Sequence, residues 1–138
     1  FASRASIVNG INKDLSQHKK SILTKIVEPG KQIKSRALAA AVKGNDKLVI
    51  THITKACETI GSVLSNTTNL LNLDLIVLGG GLIEALDGFM MPIIRRSFQK
   101  NVLKDSAKGL KILPTKLGDD AALYGGIALA EEFLKIKI

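Results

Sequence analysis

The chain has 138 residues, 46% of them hydrophobic, enough for one domain with a genuine core. Its formal charge of +8 comes from 20 Lys and Arg against 12 Asp and Glu, with the lysines spread along polar stretches; no Trp, one Tyr and four Phe argue against a nucleic-acid binder built on stacking platforms. A single cysteine, Cys57, excludes an internal disulfide framework and a cysteine-built zinc site and suits the reducing cytoplasm, and no apolar run approaches the ~20 residues needed to span a bilayer.

The opening FASRASIVNGINKDL places Ala2, Ile7, Ile11 and Leu15 near helical spacing and predicts one helix. After the polar SQHKK, the apolar SILTKIV runs into Glu28-Pro29-Gly30, where Pro-Gly marks a break. Ser35 is placed to cap a helix over RALAAAV that Gly44 stops, and Asn45 to cap the next. From Asp46 to about Leu71, the residues Leu48, Ile53, Ala56, Cys57, Ile60, Val63, Leu64, Thr67, Leu70 and Leu71 recur close to the 3.6 period. They predict the longest helix, with the core built against that stripe, and Asn72 as its terminator.

Residues 75–78, LIVL, form a short apolar run bounded by glycines, the pattern of a strand buried on both faces. Beyond them Asp87 is placed to cap a helix through FMMPIIRRSFQKNVL, with Pro92 early enough to be tolerated or to kink its first turns. Residues 110–113 alternate as a second strand. Gly118-Asp119-Asp120 then introduces a last helix, AALYGGIALAEEFL, whose Ala121, Ala122, Gly125, Gly126, Ala128 and Ala130 form a small-residue surface. Glycine costs about 1 kcal/mol against alanine inside a helix, so that pair predicts another backbone packed close by. Two strands alternating with long helices indicate an α/β fold with too few strands for a complete doubly wound sheet.

The sharpest local feature is Gly79-Gly80-Gly81, at the carboxyl end of the first strand. Ligands of open α/β sheets bind there, glycine lets the main chain approach them, and the following helix start turns free N–H groups toward an anion. A nucleotide's sugar or phosphate is a suitable guest. No Gly-Lys-Ser/Thr occurs, so the P-loop is excluded, and Glu84 stands where the dinucleotide fingerprint needs Gly or Ala. On its own the triplet reads equally as a tight turn with close strand-to-helix packing.

Taken together, ASRASIVNGIN, NLLNLDLIVLGGGLIEAL and KLGDDAALYGGIALAEEF resemble the C-terminal part of the ROK family of sugar kinases, repressors and open reading frames. The resemblance runs over nearly the whole chain. It implies part of one lobe of an actin/hexokinase-like ATPase fold, with ATP and sugar between two α/β lobes. By it, Gly79, Gly80 and Gly81 are the cofactor-binding residues, lying against adenosine and the α-phosphate. The last helix, with Ala121, Gly125 and Gly126, is similar to the family's hinge helix. Where relatives carry Asn-Pro-Glu before the strand, this chain has Asn72-Leu73-Asp74.

The resemblance further implies that the phosphate-binding segment, the catalytic Asp, the sugar ligands and a cysteine-rich zinc motif lie upstream of Phe1. The chain is then the C-terminal portion of a glucokinase-like hexose kinase using ATP and Mg, cytoplasmic, self-associating and inactive alone. A sugar-responsive repressor and a non-catalytic oligomerisation fragment stand as alternatives. No catalytic residue and no metal ligand is assigned within these residues.

The other reactive side chains read as structural. Asp119 and Asp120 open a helix as cap and dipole partners, and His18 and His52 are too far apart in sequence for a local ligand pair. Cys57 and Met90-Met91 are core residues, and Arg95-Arg96 form a solvated helix face.

Overall fold

The computed structural model describes residues 2–135. Helices α1 (Arg4–Ser16), α2 (Leu23–Ile26), α3 (Ser35–Lys43) and α4 (Lys47–Leu71) come first. A β1–α5–β2 unit follows, with β1 Leu75–Leu78, α5 Gly81–Asn101 and β2 Lys111–Pro114; a 3₁₀ turn, Gly118–Asp120, leads into α6, Ala121–Leu134. The strands are parallel and in register, Leu75 opposite Lys111 and Leu78 opposite Pro114. Parallel neighbours need a long crossover, and α5 supplies it. The pairing extends past the strands, because the Thr115 N–H donates to the Leu78 carbonyl at 2.7 Å, which brings Thr115 level with the glycines.

The core sits where α1, α3 and α5 pack against α4 and where one face of the sheet meets α5, with Ile11, Leu38, Ile53, Ile94 and Phe98 among its buried side chains. Cys57, Met90 and Met91 belong to it as expected, and burial pushes the Cys57 thiol up to about 12. Asn72 ends α4 in the left-handed conformation at φ 49°, as its role as terminator requires.

Two caps are shifted by one residue from expectation. Ser35 is the first helical residue of α3 rather than its cap; Lys34, extended, precedes it without a side-chain capping bond. Asn45 turns left-handed at φ 57°, its N–H bonded back to the Val42 carbonyl. Its extended neighbour Asp46 is therefore free to cap α4, accepting from the Val49 N–H at 3.1 Å. The helix expected to be capped by Asp87 begins seven residues earlier, with Gly80 before its first residue Gly81, because Ile83 and Leu86 find a place in the core. The expected start survives as a kink: Leu86 is non-helical at φ −140°, and the Asp87 carboxylate accepts from the Gly88 N–H at 2.6 Å.

Three burial expectations are not met among the described residues. The strand β1 is buried on one face, through Ile76, while Leu75 and Val77 are more than half exposed because no layer covers the other face among the described residues. The C-terminal half of α4 buries Gly61, Ser65 and Thr68 and leaves Val63, Leu70 and Leu71 outside, since α5 approaches too closely for large side chains. Helix α6 has no buried residue, and neither Gly125 nor Gly126 has a described neighbour within 4 Å of where a Cβ would stand. The backbone expected against that pair is thus not among the described residues.

Candidate functional site

Gly79, Gly80 and Gly81 lie where the sequence places them, between the end of β1 and the first turn of α5, and they line a concavity of about 400 Å³. Gly80, the residue before α5, has φ 102° and ψ 156°, a region essentially reserved for glycine. Among the described residues, none beyond its chain neighbours has an atom within 4 Å of where its Cβ would be, so backbone conformation requires glycine there. At the other two positions neighbours stand close. A Cβ on Gly79 would sit 3.3 Å from Thr115 Cγ2, and one on Gly81 would sit 3.4 Å from Ser35 Oγ.

The rest of the wall comes from distant segments. Ser3 and Arg4 open α1, Ser35 opens α3, and Ile60, Leu82, Ile83 and Met90 supply apolar floor. Three helix N-termini therefore meet at one cavity. The first turn of each helix carries N–H groups without an intrahelical partner, and a helix N-terminus favours a nearby anion. One of those donors is already used, since the Ser3 hydroxyl accepts from the Ser6 N–H at 3.2 Å. Arg4 strengthens the positive field: no acidic residue stands in the first turn of α1 or α3, and Glu84, in the first turn of α5, lies outside the lining. The arrangement suits a ligand with an anionic group near the helix ends and an apolar part on the floor.

Sequence reasoning did not assign Ser3, Arg4 or Ser35 to this cavity. Each reads locally as a helix opening, and only packing of α1 and α3 beside α5 makes the three openings one wall. The remaining reactive groups stand apart from it. His52 Nε2 lies 2.9 Å from Asp14 Oδ2, its ring filling the space that the missing Gly10 side chain leaves. Lys19 pairs with the same carboxylate at 2.7 Å, and the hydrogen bonds from Lys19 and then His52 hold Asp14 below its ordinary range. His18 is exposed on a left-handed backbone turn at φ 61°.

Arg95 is structural in a way the sequence did not indicate. Its Nε and Nη2 both donate to the Ile112 carbonyl, at 3.2 and 2.7 Å, tying α5 to β2. Asp120 precedes α6 without a side-chain capping bond, while the Asp119 side chain lies outside the described residues. Among the described residues no three His, Cys, Asp or Glu side chains gather closely enough to hold a metal ion, and no helix is long and apolar enough to cross a membrane.

A parallel βαβ unit with a glycine turn at its carboxyl end, covered by helices on one side, defines a partial α/β lobe. The chain belongs to the ROK family, whose model matches residues 5–133. It is 26% identical over 125 residues to a glucokinase of Halalkalibacterium halodurans, covering 91% of this chain and 38% of that relative.

Two solved structures share the fold. A candidate sugar kinase from Cytophaga hutchinsonii superposes with a TM-score of 0.74 at 22% identity, over 89% of this chain and 40% of that one. A ROK family transcriptional regulator, a homologue of the E. coli MLC protein, superposes with a TM-score of 0.69 at 20% identity, over 81% and 27%. The chain thus spans well under half the length of each of these relatives.

Proposed function

We propose that this chain is the C-terminal part of an ATP-dependent hexose kinase of the glucokinase type, and that residues 79–81 form its adenosine and α-phosphate turn. The observation that carries the reading is the convergence of the α1, α3 and α5 N-termini on the glycine turn, in a chain of the ROK family with a glucokinase among its relatives. Gly80 supplies the backbone corner, Gly81 begins the helix whose N–H groups meet phosphate, and Arg4 adds a fixed positive charge beside it. The apolar floor takes the base. Magnesium bound with ATP would neutralise charge on the phosphates. The carboxylate that deprotonates the sugar hydroxyl and the groups that hold the hexose belong, on this reading, to the part of the protein that this chain does not span.

On the same reading α6 is the hinge between lobes, and its small residues pack there against the rest of the protein. The protein acts in the cytoplasm and self-associates. Similarity to a solved regulator supports the second reading, a sugar-responsive repressor with the same body; measurable ATP-dependent phosphorylation of a hexose separates the two.

The test of the turn is Gly81→Val in the full-length protein, because at Gly80 any side chain also strains the backbone. The new side chain crowds the cavity from the Ser35 side, and overpacking of this kind costs about 1–3 kcal/mol, or roughly fivefold to 150-fold in nucleotide affinity. Hexose binding should stay unchanged. Calorimetric ATP affinity equal to that of the parent, in a variant that melts normally, removes the triplet from the nucleotide site.

A further inference from the structure

The positive charge of this protein is unevenly placed. Residues 13–47 hold nine Lys and Arg against three Asp and Glu, so six of the eight net charges fall in about a quarter of the chain. Folding gathers part of that excess around a second concavity, of about 720 Å³, at the far end of α1 from the glycine turn. Helix α1 has 13 residues, so about 20 Å of helix at 1.5 Å per residue separates the two sites. His18, Lys19 and Lys20 come from the turn after α1, Lys25 from α2 and Lys47 from the first turn of α4.

Against the four lysines of the wall, Lys19, Lys20, Lys25 and Lys47, stand two carboxylates, Asp46 and Asp14, so a positive excess remains. Asp46, also in the wall and 5% exposed, is occupied by the Ser21 hydroxyl at 2.6 Å, the Ile22 N–H at 2.7 Å and the Val49 N–H at 3.1 Å. Asp14 is taken by Lys19 and His52. Among the described residues Lys20, Lys25 and Lys47 form no ion pair. The wall is also fixed in shape. Asp46 staples residues 21 and 22 to the start of α4, and the Ile22 side chain fills the space over Gly44.

We infer that this cleft binds a small anion carrying two or more phosphate groups. The three unpaired ammonium groups come from separate segments, and a compact point charge on a flexible stem suits a phosphate oxygen. A multiply charged guest can engage several of them at once. A nucleic acid is the poorer match, because the lining contains no arginine and no aromatic ring apart from the His18 imidazole. The inference is independent of the nucleotide reading, since the glycine turn shares no residue with this cleft.

The experiment is a calorimetric titration of the full-length protein with pyrophosphate at low and raised salt. It compares the parent with Lys20→Gln/Lys25→Gln/Lys47→Gln, with the matching triple Lys→Arg variant and with Gly81→Val. All three lysines are exposed, so the fold should survive, and a thermal melt checks this. The parent should bind saturably and more weakly as salt rises; the Gln variant should lose about tenfold in affinity, the sum expected of three exposed ion pairs. The Arg variant and Gly81→Val should retain binding at the cleft. Absence of saturable binding, a Gln variant equal to the parent, or loss of all binding in Gly81→Val would overturn the inference. A poly-glutamate peptide that binds where pyrophosphate does not would overturn the phosphate assignment in favour of an acidic protein segment.

Discussion

Asp46 shows how one buried side chain settles local structure. Its carboxylate caps the 25-residue helix α4 and at the same time accepts from Ser21 and Ile22, so it holds the segment after α1 against the start of α4. Burial alone would raise its pKa, but the Ser21 hydroxyl and the N–H groups of Val49, Ile22 and Leu48 outweigh burial and hold it below the ordinary carboxylate value. A depressed folded pKa means that the unfolded chain binds the proton more tightly. The stabilisation is therefore complete above the unfolded carboxylate pKa and is lost as the pH falls through the folded value. Asp46→Asn puts an amide donor where three donors already converge, and should cost about 1–2 kcal/mol near neutral pH. In urea unfolding the gap between variant and parent should narrow in acid; a gap independent of pH would mean that the carboxylate charge is not what matters.

Between elements, the decisive contact is α4 against α5. A Cβ on Gly61 would lie 2.6 Å from the Ile94 carbonyl oxygen, 2.6 Å from Ser97 Cβ and 2.8 Å from the Phe98 nitrogen, so two backbones meet at that point. The Ser97 hydroxyl donates to the Glu58 carbonyl at 2.7 Å, and Asn69 joins the end of α5 by accepting from the Leu103 N–H at 2.9 Å. Gly61→Ala, a gain in helix propensity on an isolated helix, should here destabilise by about 1–3 kcal/mol, because α5 must move away from α4. A neutral or stabilising result in the same unfolding measurement would show that the helices part at little cost. This contact also explains why the apolar stripe read from the sequence leaves the core at Val63, Leu70 and Leu71, although Leu64 still packs against it. Hydrophobicity marks faces that pack at ordinary helix spacing, whereas a very close crossing selects Gly61, Ser65 and Thr68 and turns Val63 and Leu70 outward. The Gly-Gly pair of α6 prompted the close-packing argument, yet Gly61 is the glycine within the described residues that fulfils it.

Across the whole molecule, the two-stranded sheet has one covered and one open face. Ile76 and Ile112 are each 8% exposed, while Leu75, Val77 and Leu113 of the other face are 44–56% exposed. Helix α6 likewise exposes Leu123, Leu129, Phe133 and Leu134. In the 138-residue chain Ile76→Ala should cost about 2–5 kcal/mol and Val77→Thr no more than about 0.5 kcal/mol, read by denaturant unfolding. Equal costs would mean that the outer face is buried as well. Repeating Val77→Thr in the full-length protein reports directly whether another segment of that protein covers the face.

Sequence alone is enough to read the order and type of the elements other than α2 and the 3₁₀ turn, the terminating Asn72, the core roles of Cys57, Met90 and Met91, and the glycine turn at the end of a strand. These are legible because they are local: helical period, turn chemistry and an apolar run ended by glycine act within a few residues of chain. Three matching segments also carried the ROK resemblance, which the family match over residues 5–133 bears out. Packing of the whole chain was needed to show which helix openings share the glycine cavity, which small residues lie between α4 and α5, that Arg95 ties α5 to β2, and that lysines spread along the sequence meet at one cleft. Each of those depends on residues brought together from distant parts of the chain, Ser3 with Ser35 and Gly81, Gly61 with Ile94, Lys20 with Lys47. Periodicity specifies the face a residue presents along its own helix; the neighbour that meets that face is fixed by packing the whole core.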